Sequence, residues 1–227
     1  MGEHVTEAVI FDLDGCLVDS EPLSLEAVAS VMRDLGVTDA TAEEIGSQFL
    51  GVSMKVISDY VTKRLGKPCP ADFADRVEAR LFDWYQTKLR RIDGADALLA
   101  QLQGQGLGLA IATGGSLKRM GITLRTVAID GYFTDAACSA DEVAKGKPAP
   151  DLFELAASRL EAKPAACVVV EDSPHGIKGA KAAGMRAIGF VGGSHLDGQR
   201  DRHADRLRAA GADVVVETLA EVAAEIL

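Results

Sequence analysis

The chain has 227 residues, of which 48% are hydrophobic and 26% charged, and its formal net charge is −10 at pH 7. Such a composition is ordinary for a folded protein with a sizeable core and excludes a chain that is disordered for lack of apolar residues. The acidic charge argues against nucleic acid or an anionic membrane as the partner, because both attract basic surfaces.

The cysteines are scattered, which indicates a reducing compartment. Cys16, Cys69, Cys138 and Cys167 form no Cys-x-x-Cys pair and no His stands at zinc-ligand spacing, so neither a disulfide framework nor a zinc site is expected. Residues 1–6 match an acylation pattern only formally and lack the features of a signal peptide. No stretch approaches the roughly 20 apolar residues of a membrane span. We therefore expect a cytoplasmic protein.

The first predicted element is a short buried strand. The apolar run 8–11 ends at Asp12-Leu13-Asp14-Gly15. A strand buried on both faces is typical of a parallel sheet, and ligands bind at the carboxyl edge of such sheets. A turn built from Asp and Gly explains the same residues without any chemistry. Both interpretations of Asp12 and Asp14 stay open at this point.

Residues 19–91 have a helical pattern. Apolar residues at 3.6-residue spacing predict a helix from Leu23 to Leu35, and later helices begin near Thr41 and Ser53. The stripe from Phe73 to Tyr85 predicts another helix, whose aromatic side chains fit a packed core better than a base-stacking surface. An all-helical segment is therefore inserted after the first strand.

From residue 92 onward, helices alternate with short strands rich in Val and Ile, which is typical of a parallel α/β fold. Further strands are expected at 107–112, 167–170, 187–191 and 214–216. Thr218 and Glu221 have the spacing of a capping box for the last helix.

Two of these strands end in polar segments. Thr113-Gly114-Gly115-Ser116 precedes a helix, where small residues and unpaired amides can cradle a phosphate; an ordinary loop with Ser116 as N-cap is the alternative. Glu171-Asp172-Ser173-Pro174 also opens a helix, and capping by Asp172 or Ser173 explains one of the acids but not both.

Lys147 precedes Pro148, which holds it in an extended loop, although most lysines are simply solvated. If these segments meet at one sheet edge, four acids come together: Asp12, Asp14, Glu171 and Asp172. Two unit charges about 4 Å apart interact by about 4 kcal/mol at an effective dielectric near 20, so such a cluster needs a cation. Oxygen ligands with room for water and phosphate favour Mg²⁺.

Together these residues resemble the haloacid dehalogenase superfamily, in the branch of β-phosphoglucomutase and the sugar-phosphate phosphatases. The signature segments occur in the expected order, as Asp12-Leu13-Asp14-Gly15, Thr113, Lys147-Pro148, and Glu171-Asp172 with Gly176 and Ala183-Gly184-Met185. The resemblance implies an α/β fold with a Rossmann-like parallel sheet core of residues 1–18 and 92–227. Residues 19–91 would form its helical cap domain.

The resemblance also implies roles for the four acids. Asp12 would be the nucleophile and a Mg²⁺ ligand. Asp14 would be the general acid and base and would offer its backbone carbonyl to the metal. Asp172 would be a metal carboxylate, and Glu171 would support the metal. Nucleophilic attack would give an aspartyl-phosphate, which divides one difficult displacement into two easier ones.

Thr113 and Lys147 would hold the phosphoryl oxygens by the same resemblance, assisted by the amides after Thr113, including Gly114. The amides and the lysine would offset the charge that develops on those oxygens.

Substrate choice in this family lies in the cap, where the loop Gly51-Val52-Ser53-Met54-Lys55 corresponds to the specificity loop. The candidate substrate contacts in the cap are Glu21, Gly51, Ser53 and Lys55. The chain departs from the mutase at Met54, where β-phosphoglucomutase has Arg, and at Ser24, where it has His. Because those residues serve mutase chemistry, the departures favour hydrolysis.

The expected function is a Mg²⁺-dependent phosphatase acting on a small phosphorylated metabolite, a sugar or polyol phosphate. A β-phosphoglucomutase-like phosphomutase and a phosphosugar-binding protein without catalysis are the alternatives. The dehalogenase and phosphonatase branches lack the second acid of the first motif, which is present here as Asp14.

Overall fold

The computed structural model describes residues 6–49 and 54–227, without the side chains of residues 49, 54 and 55. Contacts divide the chain into two compact units. The first contains the residues up to Asp19 together with Arg90–Leu227, and the second is Ser20–Leu89.

The first unit is built on a six-stranded parallel sheet, as predicted for an α/β fold. The strands are β1 Ala8–Phe11, β2 Gly108–Thr113, β3 Ala137–Ser139, β4 Cys167–Glu171, β5 Arg186–Phe190 and β6 Val214–Val216, in the spatial order β3-β2-β1-β4-β5-β6. β1 lies between β2 and β4 and is buried along its whole length. Its burial on both faces explains its unbroken apolar sequence.

The second unit is helical in its described part. Its helices are α1 Glu21–Asp34, α2 Ala42–Phe49, α3 Met54–Leu65 and α4 Phe73–Lys88. The predicted stripe on α4 is buried at Phe73, Val77, Leu81 and Tyr85. Thr41 accepts a hydrogen bond from the Glu44 amide, as its N-cap position predicts.

The helices of the first unit follow its strands in alternation. They are α5 Ala95–Gly104, α6 Leu117–Thr126, α7 Asp151–Arg159, α8 Pro174–Ala182, α9 Arg200–Ala210 and α10 Leu219–Ile226. Side-chain caps begin three of them: Ser116 caps α6, Ser173 caps α8, and Thr218 forms a capping box with Glu221 on α10. These caps fix where each helix starts relative to the strand before it.

Some predictions of detail were wrong. The short strand β3 was not predicted, and β5 begins at Arg186 and ends at Phe190, one residue earlier than expected at each end. Val56, an apolar residue of the helix predicted to begin near Ser53, is 44% exposed. In residues 6–49 and 54–227, no helix combines the length and apolar character that crossing a membrane requires.

Candidate active site

Side chains from the ends of two strands meet around the ammonium group of Lys147. Asp12 directly follows β1, and its amide donates to the Val170 carbonyl of β4 at 2.9 Å. Lys147 Nζ lies 2.6 Å from Asp12 Oδ1 and also donates to Glu171 Oε1, at the end of β4. The side chains of Lys147 and Asp12 are each 10% exposed, and that of Glu171 is fully buried. Lys147 is thus a buried ion-pair partner and not a solvated surface lysine.

Glu171 is held from two sides. Besides the lysine, it accepts a hydrogen bond from the Ser173 amide at 2.7 Å. Its carboxylate packs on Gly176, where an added Cβ would overlap it. Glu171 therefore holds Lys147 in place. The metal-supporting role predicted for Glu171 stays a prediction.

Asp14 stands on the β2 side of the cluster. Thr113 Oγ1, at the end of β2, is 3.5 Å from Asp14 Oδ2 and accepts from the Gly115 amide at 3.0 Å. Arg119 Nη2, in the first turn of α6, lies 2.9 Å from Asp14 Oδ1. Gly114 is exposed in the loop between Thr113 and α6. The sequence reasoning missed Arg119, whose one signal is its place in the turn after the Thr113 loop.

Asp172 is contacted by two histidines. His195 Nε2 lies 3.2 Å from Asp172 Oδ2, and His203 Nε2 lies 2.6 Å from the Asp172 backbone oxygen. Neither histidine was among the residues that the sequence analysis predicted for the site. The signal for His195 was its position after β5, at the same sheet edge as the other strand ends.

Burial and crowding perturb the acids strongly. Burial raises the pKa of Asp12 well above its usual value; Lys147 opposes this rise and Glu171 adds to it. Burial, followed by the charge of Glu171, likewise raises the pKa of Asp172. Burial alone would lower the pKa of Lys147, but the charges of Asp12 and Glu171 raise it. Burial and mutual repulsion thus disfavour ionisation of Asp12 and Asp172 together, even with Lys147 beside them.

The residues present fit a hard divalent cation. Asp12, Asp172 and Cys16 are buried and each offers a ligand atom within 4.8 Å of the others. Burial raises the pKa of the Cys16 thiol, which keeps it protonated and a poor ligand for a hard ion. The carboxylates are the hard ligands of this group, and a cation between them would offset the crowding that raises their pKa values.

The predicted cap residues lie in the second unit. Glu21 begins α1 and its side chain is half-buried. Gly51 and Ser53 lie outside the described residues, and so does the side chain of Lys55. Substrate contact by these four residues stays a prediction.

Comparison with known proteins agrees with this geometry. A family model described as haloacid dehalogenase-like hydrolase matches residues 9–190. The chain is 30% identical over 217 residues to a phosphorylated carbohydrates phosphatase of Thermotoga maritima, covering 95% of this chain and 99% of the relative. It is 32% identical over 183 residues to hexitol phosphatase B of Escherichia coli, covering 80% and 82%.

A solved structure shares the fold as well. The crystal structure of a HAD family hydrolase from Deinococcus radiodurans, with bound phosphate and sodium, superposes with a TM-score of 0.79 at 31% identity and covers 97% of this chain and 94% of that one. The family model spans most of the chain, and the first of these relatives matches it nearly end to end. The chain therefore belongs to the haloacid dehalogenase-like hydrolases.

Proposed function

We propose that the chain is a Mg²⁺-dependent phosphatase that cleaves a small phosphorylated metabolite, a sugar or polyol phosphate, through an aspartyl-phosphate on Asp12. The observation that carries the proposal is the meeting of Asp12, Lys147, Glu171 and Asp172 at one edge of the parallel sheet. The names of the two phosphatase relatives support the same reaction class.

The cation would be held by Asp12, Asp172 and the backbone carbonyl of Asp14, and when bound it would offset negative charge on the phosphoryl group. The requirement for it follows from the acids themselves. Four carboxylates contact or adjoin one another here, and Lys147 and Arg119 pair with three of them, Asp12, Glu171 and Asp14. Ionisation of all four acids would crowd negative charge at this edge of the sheet, and a divalent ion would offset it.

In the first step, an Asp12 carboxylate oxygen attacks phosphorus as the bond to the leaving alkoxide breaks, and Asp14 donates a proton to that alkoxide. In the second step, water attacks the aspartyl-phosphate, Asp14 takes the proton, and Asp12 is regenerated with release of phosphate. Lys147 keeps one Asp12 oxygen oriented at 2.6 Å and offsets charge on the phosphoryl oxygens. Thr113 and the Gly114 amide would bind those oxygens.

The second unit, Ser20–Leu89, would act as the cap that excludes water and chooses the substrate. Glu21, Gly51, Ser53 and Lys55 are its candidate contacts. Release of free phosphate is favoured over transfer of the phosphoryl group back to the substrate. The reason is that Met54 and Ser24 stand where the resembled mutase has the residues that serve that transfer. The four cysteines are free thiols, which supports a reducing cytoplasmic setting.

The test is a panel of phosphorylated sugars, polyols and other metabolites assayed for free phosphate, with Mg²⁺ and with EDTA. We expect release that requires Mg²⁺, is abolished by Asp12→Asn, and falls by roughly 10²–10⁴-fold in Asp14→Asn, because a general acid and base contributes about that much. Asp201→Asn, at an exposed position of α9, is the matched control and should keep wild-type activity.

Two outcomes would contradict the proposal. Unchanged phosphate release by Asp12→Asn would refute the nucleophile. Interconversion of phosphorylated isomers in the presence of a bisphosphate primer, with little free phosphate, would identify a phosphomutase instead.

A further inference from the structure

We propose that His195 and His203 are positioning residues that hold Asp172 by its side chain and its backbone, so that one carboxylate oxygen is presented to the cation. This inference rests on the proposed function, because it concerns the cation that the function requires. Neither histidine belongs to the motifs that define the family resemblance, and neither is assigned a step in the reaction above.

The first contact is with the Asp172 side chain. His195 Nε2 lies 3.2 Å from Asp172 Oδ2, and the His195 side chain is only 1% exposed. Cation binding requires the ionised carboxylate, which can only accept hydrogen bonds, so Nε2 must carry the hydrogen in that state. His195 thereby engages Oδ2 and fixes the orientation of the Asp172 carboxylate.

Two glycines form a slot for the His195 ring. A Cβ on Gly193 would lie 2.6 Å from His195 Cε1 and 2.7 Å from Nδ1, and a Cβ on Gly15 would lie 2.9 Å from Cε1. The same Gly15 Cβ would overlap Asp172 Oδ2. Ring and carboxylate are thus packed against the bare backbone of the loop that carries Asp12 and Asp14. A side chain fixed by packing orients its partner at little entropic cost.

The loop that carries His195 is itself anchored. Ser194 Oγ lies 2.8 Å and 2.7 Å from the two carboxylate oxygens of Asp19, at the end of the segment that follows β1. The two residues that precede His195 therefore have fixed positions: Gly193 packs on the ring and Ser194 is tied to Asp19. The His195 imidazole therefore has a defined position relative to the loop that follows β1.

The second contact is with the Asp172 backbone. His203, in α9, is 5% exposed, and its Nε2 lies 2.6 Å from the Asp172 carbonyl oxygen. A carbonyl oxygen can only accept, so His203 donates from Nε2. One histidine thus fixes the carboxylate and the other fixes the peptide from which the side chain projects.

Groups that orient a metal-binding carboxylate from behind affect metal affinity, and their removal typically weakens it by about 10–100-fold. The test measures Mg²⁺ affinity by titration calorimetry on the full-length, metal-stripped protein, and phosphate release separately. His195→Asn places an amide too short to reach Oδ2, whereas the longer amide of His195→Gln can take the place of Nε2. His175→Asn changes an exposed histidine and is the matched control.

We expect the Mg²⁺ Kd to rise about 10–100-fold in His195→Asn, to return towards the wild-type value in His195→Gln, and to stay unchanged in His175→Asn. With Mg²⁺ at saturation, the KM for substrate should stay near the wild-type value in every variant, because the histidines touch Asp172 and not the substrate. If His195 had a purely structural role, its variants would lose thermal stability, but their Mg²⁺ Kd values would not follow this order.

An unchanged Mg²⁺ Kd in folded His195→Asn would overturn the proposal. If that variant does not fold, His203→Leu, which removes the other contact, is decisive in the same way. Wild-type protein that binds Mg²⁺ but hydrolyses no phosphoester would contradict the proposed function while the histidine comparison still stands. Wild-type protein that binds no Mg²⁺ would overturn both.

Discussion

Lys147 is the residue on which the charge balance of the site depends. Its ammonium contacts Asp12 and Glu171 and lies 5.4 Å from the centre of the Phe153 ring, so it is surrounded by groups that favour a cation. Removing one partner of such a buried pair leaves an uncompensated charge, which is typically strongly destabilising. Lys147 therefore stabilises the cluster in the absence of substrate, besides its proposed contact with the phosphoryl oxygens.

Gly176 packs against the Glu171 carboxylate without room for a larger side chain. We expect Gly176→Ala to lower the free energy of unfolding by about 1–3 kcal/mol, because its Cβ would overlap the buried Glu171 carboxylate and force it away from Lys147. Urea denaturation measures the change. Gly104→Ala, at the end of α5 with open space around the added Cβ, is the control and should be neutral or stabilising. Equal stability of the two variants would contradict the packing described for Glu171.

Arg119 shows what sequence reasoning missed at this scale. Its guanidinium is 2.9 Å from Asp14 Oδ1, across 105 residues of chain. A long side chain can reach several partners, and its choice depends on which strand lies beside its helix. That information is absent from the local pattern around Arg119.

At the scale of elements, the strands and their helices are joined by caps that place polar groups at one edge of the sheet. Ser116 and Ser173 accept hydrogen bonds from the amides of Arg119 and Gly176, which starts α6 and α8 directly after the strand-end loops. The capping interpretation and the catalytic interpretation of these segments are therefore compatible. Ser173 caps α8, which leaves Glu171 and Asp172 available for the site.

Thr218 caps α10, a helix far from the acid cluster in sequence, and a mutation can measure what this cap contributes. Its side chain accepts from the Glu221 amide, and the Glu221 carboxylate accepts from the Thr218 amide. We expect Thr218→Ala to lower the free energy of unfolding by about 1 kcal/mol, and Thr218→Ser to retain most of the stability, because the hydroxyl is the capping group. Thermal or urea unfolding measures both. An alanine variant as stable as the serine variant would show that the cap contributes nothing.

The strand β3 was the element that periodicity did not reveal. Ala137-Cys138-Ser139 is too short for a recognisable apolar run, yet it pairs in parallel with β2 from Ile111 to Thr113. Ser139 Oγ donates to the Gly115 carbonyl at 2.6 Å, which connects this strand to the Thr113 loop. The pairing is decided by an existing sheet edge and not by the propensity of three residues.

At the scale of the whole molecule, the acid cluster makes stability depend on pH and on metal. In the metal-free folded state, burial is the largest cause that raises the pKa of Asp12 and Asp172. The folded protein therefore keeps these protons at pH values where the unfolded chain has lost them. Because stability then falls with increasing pH, the contribution is present below the ordinary carboxyl pKa of about 4 and lost as pH rises through the raised values.

We expect the EDTA-treated protein to lose stability relative to Asp172→Asn as pH rises from about 5 to about 8, since the variant has one titrating acid fewer. Mg²⁺ binds the deprotonated acids, so it should stabilise the wild type more at the upper end of this range. Urea unfolding at each pH, with and without Mg²⁺, provides the measurement. Parallel curves for the two proteins in EDTA would contradict the raised pKa of Asp172.

The sequence by itself determined the parallel α/β fold, the family and most of the helix starts. Hydrophobic runs and periods report burial within a few residues, and caps join groups three residues apart, so both can be read locally. The family model matches residues 9–190, the part of the chain in which all four motifs lie. The roles of the individual site residues, and the cap role of the second unit, stay predictions.

Only the tertiary structure decided which charged groups meet. Lys147 reaches Asp12 across 135 residues, and the histidine contact to the Asp172 backbone spans 31 residues. Such contacts depend on the order of strands in the sheet and on the packing of loops after them, which local propensity does not specify. The sequence therefore identified the acids, while the fold supplied Arg119, His195 and His203 as their partners.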